Sequence, residues 1–157
     1  MKGHERVIEA LNELLTLELT VINQYFLHSK MCEDWGYARL AARFRAVSRD
    51  EMDDAEEIIE RILFLEGVPN MQRLGAVTIG EGVPEQLRLQ LEAERRALEL
   101  LAKGIAVSTE AGDEASREFF AGRLQEEEGH VNWLETQLSL LEQVGEANYL
   151  AQQLRSE

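Results

Sequence analysis

Leu11-Asn-Glu-Leu-Leu-Thr-Leu-Glu18-Leu-Thr-Val-Ile-Asn-Gln-Tyr25 reads as one face of an α-helix. Leu11, Leu15, Ile22 and Tyr25 recur at steps of three and four, the period of a buried helical stripe. Glu18 stands in the middle of that stripe. An ionised carboxylate is almost never buried unless it is paired or bound to a metal, so the stripe requires a partner for Glu18.

Three further stretches repeat the pattern. The second stripe is Leu40, Phe44, Val47, Glu51, Asp54, Ile58; the third is Leu87, Leu91, Glu94, Leu98, Leu101, Ile105. The fourth is Phe120, Leu124, Glu127, Val131, Leu134, Leu138, with His130 beside it. Each carries a central glutamate, whereas Glu126 and Glu128 fall off the stripe and read as solvated. Helices are expected over about His4–Asp34, Tyr37–Glu66, Pro84–Glu110 and Asp113–Val144, with a short fifth over Glu146–Leu154. Gly67 and Pro69 stop the second helix, and Pro84 suits the first turn of the third. The first and third connections are tight turns, which make antiparallel hairpins. Residues 67–83 form a long link with four glycines, long enough to cross from one end of a bundle to the other. The expected fold is all-α: a single-domain four-helix bundle over residues 1–157 with one long crossover.

The spacing contains a repeat. Glu18 to Glu51 is 33 residues, as is Glu94 to Glu127, and the halves are offset by 76. Gly36 maps onto Gly112. Each half supplies one lone Glu and one Glu-x-x-ligand motif. Four carboxylates on facing helices repel one another unless cations intervene, and carboxylate plus imidazole from four helices suits a di-iron or di-manganese site. The repeat breaks once in this ligand set. The second half reads Glu127-Glu-Gly-His130, and the first reads Glu51-Met-Asp-Asp54. An Asp oxygen and a His Nδ1 both lie two bonds beyond Cβ, so Asp54 retains the reach of a ligand.

Composition narrows the function classes. Apolar residues make up 45% of the 157, only two are prolines, and the formal net charge is −14. Such a chain repels nucleic acid and anionic membranes. One cysteine, Cys32, forms no internal disulfide, which points to a reducing cytoplasm. No signal peptide and no apolar run of membrane-spanning length is legible.

The segments Leu17-Glu-Leu-Thr-Val-Ile-Asn-Gln-Tyr-Phe-Leu-His28, Glu60-Arg-Ile-Leu-Phe-Leu-Glu-Gly67 and Trp133-Leu-Glu-Thr-Gln-Leu138 resemble those of bacterioferritins. So do Met1-Lys-Gly3 and Glu146-Ala-Asn-Tyr-Leu150. The resemblance implies a ferritin-like bundle in a 24-subunit cage, Fe(II) oxidation by oxygen or peroxide at a di-iron centre, and storage of ferric mineral. It implies Glu18 and Glu94 as terminal ligands, Glu51 and Glu127 as bridges and His130 on the second iron, with Asp54 in the place of a family histidine. It also implies haem b on the subunit two-fold axis, with Met52 as axial ligand. Met52 follows Glu51 by one residue and so points about 100° away from the inner stripe, and a thioether so turned suits haem iron.

Asp54 raises the ligand set to five carboxylates and one imidazole, one negative charge more than two Fe(II) balance. Harder ligation favours Fe(III) and oxygen-loving ions, and the expectation is slower iron oxidation. The alternative is a ferroxidase-impaired subunit that acts in haem binding and cage assembly with a second subunit type. Tyr25 is open between support of a ligand carboxylate and core packing. Trp133 reads as core, His28 as interface or surface, and Cys32 as an interface filler. A rubrerythrin-type oxidase would bring a Cys-rich segment, a DNA-protecting mini-ferritin a basic tail and a helix in the crossover. A purely structural bundle has no use for four matched glutamates.

Overall fold

The computed structural model describes residues 1–155; of the domain expected over 1–157, the last two residues lie outside the described residues. The elements are α1 (Glu5–Trp35), α2 (Ala38–Phe64), α3 (Val83–Glu110), α4 (Glu114–Val144) and α5 (Glu146–Ala151). Helix α1 packs on α2 and on α3, α3 packs on α4, and α5 folds onto α4. This is the expected four-helix bundle with a short fifth helix. Some boundaries move. Tyr37 N–H closes the end of α1 on Cys32 O at 2.8 Å, so Tyr37 belongs to the turn rather than to α2. Helix α2 ends at Phe64, before Gly67, because Glu66 takes a left-handed φ of 61°. Helix α5 stops at Ala151, short of Leu154.

The 76-residue repeat holds at the level of hydrogen bonds. At the end of α1, Gly36 N–H bonds Glu33 O and Tyr37 N–H bonds Cys32 O. At the end of α3, Gly112 N–H bonds Thr109 O and Asp113 N–H bonds Ser108 O. Gly36 (φ 89°) and Gly112 (φ 71°) both adopt the left-handed conformation that such a helix stop requires.

The crossover, residues 65–82, is laced along α1. Asn12 Nδ2 donates to Val68 O and Asn12 Oδ1 accepts from Asn70 N–H. Gly75 N–H donates to Thr20 Oγ1, Gln24 Nε2 donates to Thr78 O, and Gly80 N–H donates to His28 Nε2. These α1 residues sit at multiples of four, so the loop climbs one polar stripe of the helix for about 24 Å.

Two apolar clusters flank the middle of the bundle. One gathers Leu11, Leu14, Leu15, Ile58, Ile62, Leu101 and Phe120; the other gathers Tyr25, Phe44, Leu87, Val131 and Leu134. Leu17 packs against both. The central glutamates therefore lie between two dry layers. A Cβ on Gly104 would lie 2.5 Å from the Phe120 ring, so glycine is what lets α3 approach α4 there.

His28 and Cys32 are corrected by the structure: both are fully buried inside the subunit rather than at its surface. Burial pushes the Cys32 thiol up to about 12, so it packs as an inert apolar residue. His28 Nε2 accepts from Gly80, so Nδ1 must carry the proton of the neutral ring. Gln90 Nε2 lies 2.8 Å from Nδ1 and Gln90 Oε1 is partnerless, so a half-turn of the amide would let Oε1 accept from Nδ1–H. His28 thus ties the end of the crossover to α1 and α3.

Burial lowers the His28 pKa from 6.5 to about 4. The fold therefore favours the neutral ring. Its contribution is complete above about pH 6.5, and it declines toward pH 4 as the unfolded chain takes up a proton that the folded chain refuses. Up to about 3 kcal/mol is expected to be lost across that window. Denaturant unfolding of the wild type and of His28→Gln between pH 7 and 4 checks this; the variant should lose that part of the pH slope.

Candidate metal centre

Helix periodicity places one carboxylate from each long helix at mid-height. Glu18, Glu51, Glu94 and Glu127 are all buried, at 1–5% exposure. Glu126 and Glu128 are exposed, in keeping with their expected solvation. The six sequence candidates fall into two groups whose ligand atoms lie within 4.8 Å of one another. Glu51, Glu94, Glu127 and His130 form one, and Glu18, Glu51 and Asp54 form the other. Glu51 belongs to both, so the two groups are adjacent.

The polar atoms lack the partners that burial demands. Glu18 Oε2, Glu51 Oε1, both oxygens of Glu94, Glu127 Oε1 and His130 Nδ1 are buried without an aligned hydrogen bond. His130 Nδ1 faces Glu51, Glu94 and Glu127 at 3.2, 3.4 and 3.8 Å. One nitrogen among three carboxylates, aligned with none, fits ligands gathered around a cation, and without one a protonated His130 is itself the counter-charge. Orphaned buried oxygens cost free energy in a protein–protein network, whereas divalent cations satisfy all of them at once. The donor set fits a pair of oxygen-preferring transition metals.

The electrostatics agree. Burial raises the Glu51 carboxyl above its ordinary range; the nearby His130 opposes that rise, and Glu94 and Asp54 add to it. Glu51 and Glu94 together raise His130. Tyr25 is buried beside Glu94, and burial first, then Glu94, drives its phenol well above 10. Its hydroxyl stays protonated and faces Glu94, although the contact falls short of an aligned hydrogen bond. Tyr25 also packs edge-on against Phe44 at 6.0 Å, which is the core-packing role of its two expected readings. Trp133 packs edge-on against Phe44 and under Arg43.

Asp54 is not alone. Its Oδ1 is 2.5 Å from Arg123 Nη1. Arg123 also pairs with Glu57, lies over the Phe119 ring and is only 10% exposed. Sequence reasoning missed this residue. The signal was the repeat itself, for Arg123 stands at the position equivalent to Val47. It also missed the Asn12–Thr20–Gln24–His28 ladder, whose signal was a polar residue at every fourth or eighth position.

Met52 is 46% exposed, one residue beyond the buried Glu51. Phe26, Leu63 and Phe64 are similarly exposed. The helix thus turns one side chain inward to the carboxylates and the next outward. Among the described residues no helix is long and apolar enough to cross a membrane.

A family model for the ferritin-like domain matches residues 8–144. The chain is 48% identical to a bacterioferritin of Mycobacterium bovis over 152 residues, 97% of this chain and 96% of that one. It is 47% identical to a bacterioferritin of Streptomyces coelicolor over 151 residues, 96% and 90% of the two chains. It is 44% identical to one of Brucella melitensis over 149 residues, 95% and 92%.

Proposed function

The chain belongs to the bacterioferritins within the ferritin-like family, and from that premise we propose that it stores iron by acting as a ferroxidase. The carrying observation is the set of buried, partnerless carboxylate oxygens that converge with His130 Nδ1 between four helices. Glu18, Glu51 and Asp54 would hold one Fe(II), and Glu51, Glu94, Glu127 and His130 the other; Glu127, expected as a second bridge, groups only with the latter set. Fe(II) supplies the electrons, one from each ion, and oxygen or peroxide takes them. The residues bind and orient the pair, the apolar layers above and below exclude water, and Tyr25 keeps Glu94 in place. The chain acts as one domain over 1–157, in the cytoplasm, in a cage of 24 copies that receives the ferric mineral. Haem b would be held by one Met52 from each of two subunits, which its outward position supports.

The test is aerobic Fe(II) loading followed by stopped-flow absorbance and size-exclusion mass. Iron oxidised and retained in a particle of 24-subunit mass is the expected result; a monomer that leaves Fe(II) unoxidised would refute it. Asp54 in place of a nitrogen ligand slows the reaction, so the variant Asp54→His/Arg123→Val, which restores the repeat, should oxidise iron faster than the wild type. Met52→Leu should lose the haem absorbance band while iron oxidation persists. A second reading is favoured by the grip of Arg123 on Asp54: a weakly oxidising subunit that works in haem binding and assembly beside a second subunit type. Undetectable oxidation by the pure cage, restored on co-assembly, would select it.

A further inference from the structure

We propose that Arg123 is a positioning residue of the metal centre, a built-in counter-cation that balances the extra carboxylate of Asp54. The inference rests on the reading of the buried carboxylates as a two-metal centre. Around the carboxylate layer, the inner positions of α2 map onto those of α4 by the 76-residue offset. Phe44 maps onto Phe120, Glu51 onto Glu127 and Ile58 onto Leu134. Ser48 against Leu124 exchanges one neutral residue for another, and two positions there break the rule in charge. Asp54 faces the equivalence of His130, and Arg123 that of Val47. The two exceptions touch each other, Arg123 Nη1 to Asp54 Oδ1, at 2.5 Å.

The charges explain the pairing. Four glutamates balance two divalent cations. Asp54 adds one negative charge and removes an imidazole that had none, and the guanidinium of Arg123 restores neutrality. Neutrality matters here because Asp54, itself a quarter exposed, borders glutamates that are 1–5% exposed, where charge imbalance is poorly screened. The location suits the role. Arg123 lies one helical turn before Glu127, packs on the Phe119 ring at 4.8 Å, and pairs with Glu57 on its outer side. Glu57 and Glu126 are largely solvated, at 62% and 69% exposure, so Asp54 is its inward partner. A carboxylate has two oxygens, and an ion pair through one leaves the other chemically able to bind metal. The guanidinium spans two carboxylates, Nη1 on Asp54 and Nη2 on Glu57, which holds it against the site.

The experiment is a Co(II) titration of the metal-free cage, followed through cobalt d–d absorbance and equilibrium dialysis, with circular dichroism to check folding. Wild-type protein should bind two cobalt ions per subunit. Arg123→Met should weaken one of the two by at least about tenfold, the scale of losing a group that orients a ligand. Asp54→His alone should also weaken it, because Arg123 then adds an unbalanced positive charge beside the metal. Asp54→His/Arg123→Val should recover two tight sites. Arg123→Lys, which keeps the charge, should remain closer to wild type than Arg123→Met does. A structural pair couples as well, so the discriminating result is loss of cobalt affinity in Arg123→Met with unchanged circular dichroism, and its retention in Arg123→Lys. Tighter cobalt binding by Arg123→Met would show that Arg123 blocks the site and would overturn the proposal. So would a double variant at least as weak as the weaker single variant. Wild-type protein that binds fewer than two cobalt ions would instead overturn the two-metal reading, and the proposal with it.

Discussion

Glu51→Gln is expected to lower the rate of Fe(II) oxidation by at least about 100-fold. Loss of a group that merely orients a metal ligand costs about 10–100-fold, and Glu51 is a candidate ligand shared by both metal groups. The amide has the same shape but no charge, and it turns a hydrogen-bond donor toward the cations. Its removal leaves Glu18 and Asp54 at the first position and Glu94, Glu127 and His130 at the second. The opposite sign is expected for the metal-free fold. Glu51 is 1% exposed and repelled by Glu94 and Asp54, so the neutral amide should leave the metal-free melting temperature at or above that of the wild type. The change relieves like-charge repulsion in the cluster, and His130 keeps Glu94 and Glu127 at 3.4 and 3.8 Å as counter-charges. Stopped-flow oxidation and calorimetry on one preparation check both signs. An active variant would remove Glu51 from the centre, and a collapse of the metal-free fold would show that its role is structural.

Phe44→Ala is expected to destabilise the metal-free subunit by about 3–5 kcal/mol, the cost of truncating a buried aromatic ring. Phe44 is fully buried on the second stripe. Its ring meets Tyr25 at 6.0 Å, His28 at 6.4 Å and Trp133 at 6.4 Å. It therefore supports two things at once: the phenol that faces Glu94, and the imidazole that fastens the crossover. The cavity should loosen both. Denaturant unfolding of the metal-free protein measures the first effect, and a cobalt titration at a temperature where the variant is folded measures the second. Phe44→Leu, which keeps much of the apolar volume, should lose less on both counts. A truncation that cost under about 1 kcal/mol would show that the core relaxes into the gap.

Much of this protein was legible without coordinates. Periodicity placed Glu18, Glu51, Glu94 and Glu127 on inward stripes, and they are buried. The 76-residue offset anticipated matched hairpins, and the same hydrogen-bond pair closes both. Periodicity reports which face a residue occupies because the helical repeat is fixed by backbone geometry. It does not report which side chain on another helix waits opposite. His28 read as interface or surface because its phase departs from that of Glu18, yet the loop and α3 bury it. The loop had no period to read, and its bonds to Asn12, Thr20, Gln24 and His28 join residues over 50 positions apart. Asp54 read as a broken repeat with one charge too many. The structure set Arg123 against it, from a helix about 70 residues further along the chain. The sequence by itself thus determined the bundle, its two-fold plan and the four inward glutamates, since those follow from local geometry repeated four times. Only the tertiary structure decided the partners of Asp54 and His28, because an ion pair or a hydrogen bond between elements depends on distances that exist only once the helices have packed.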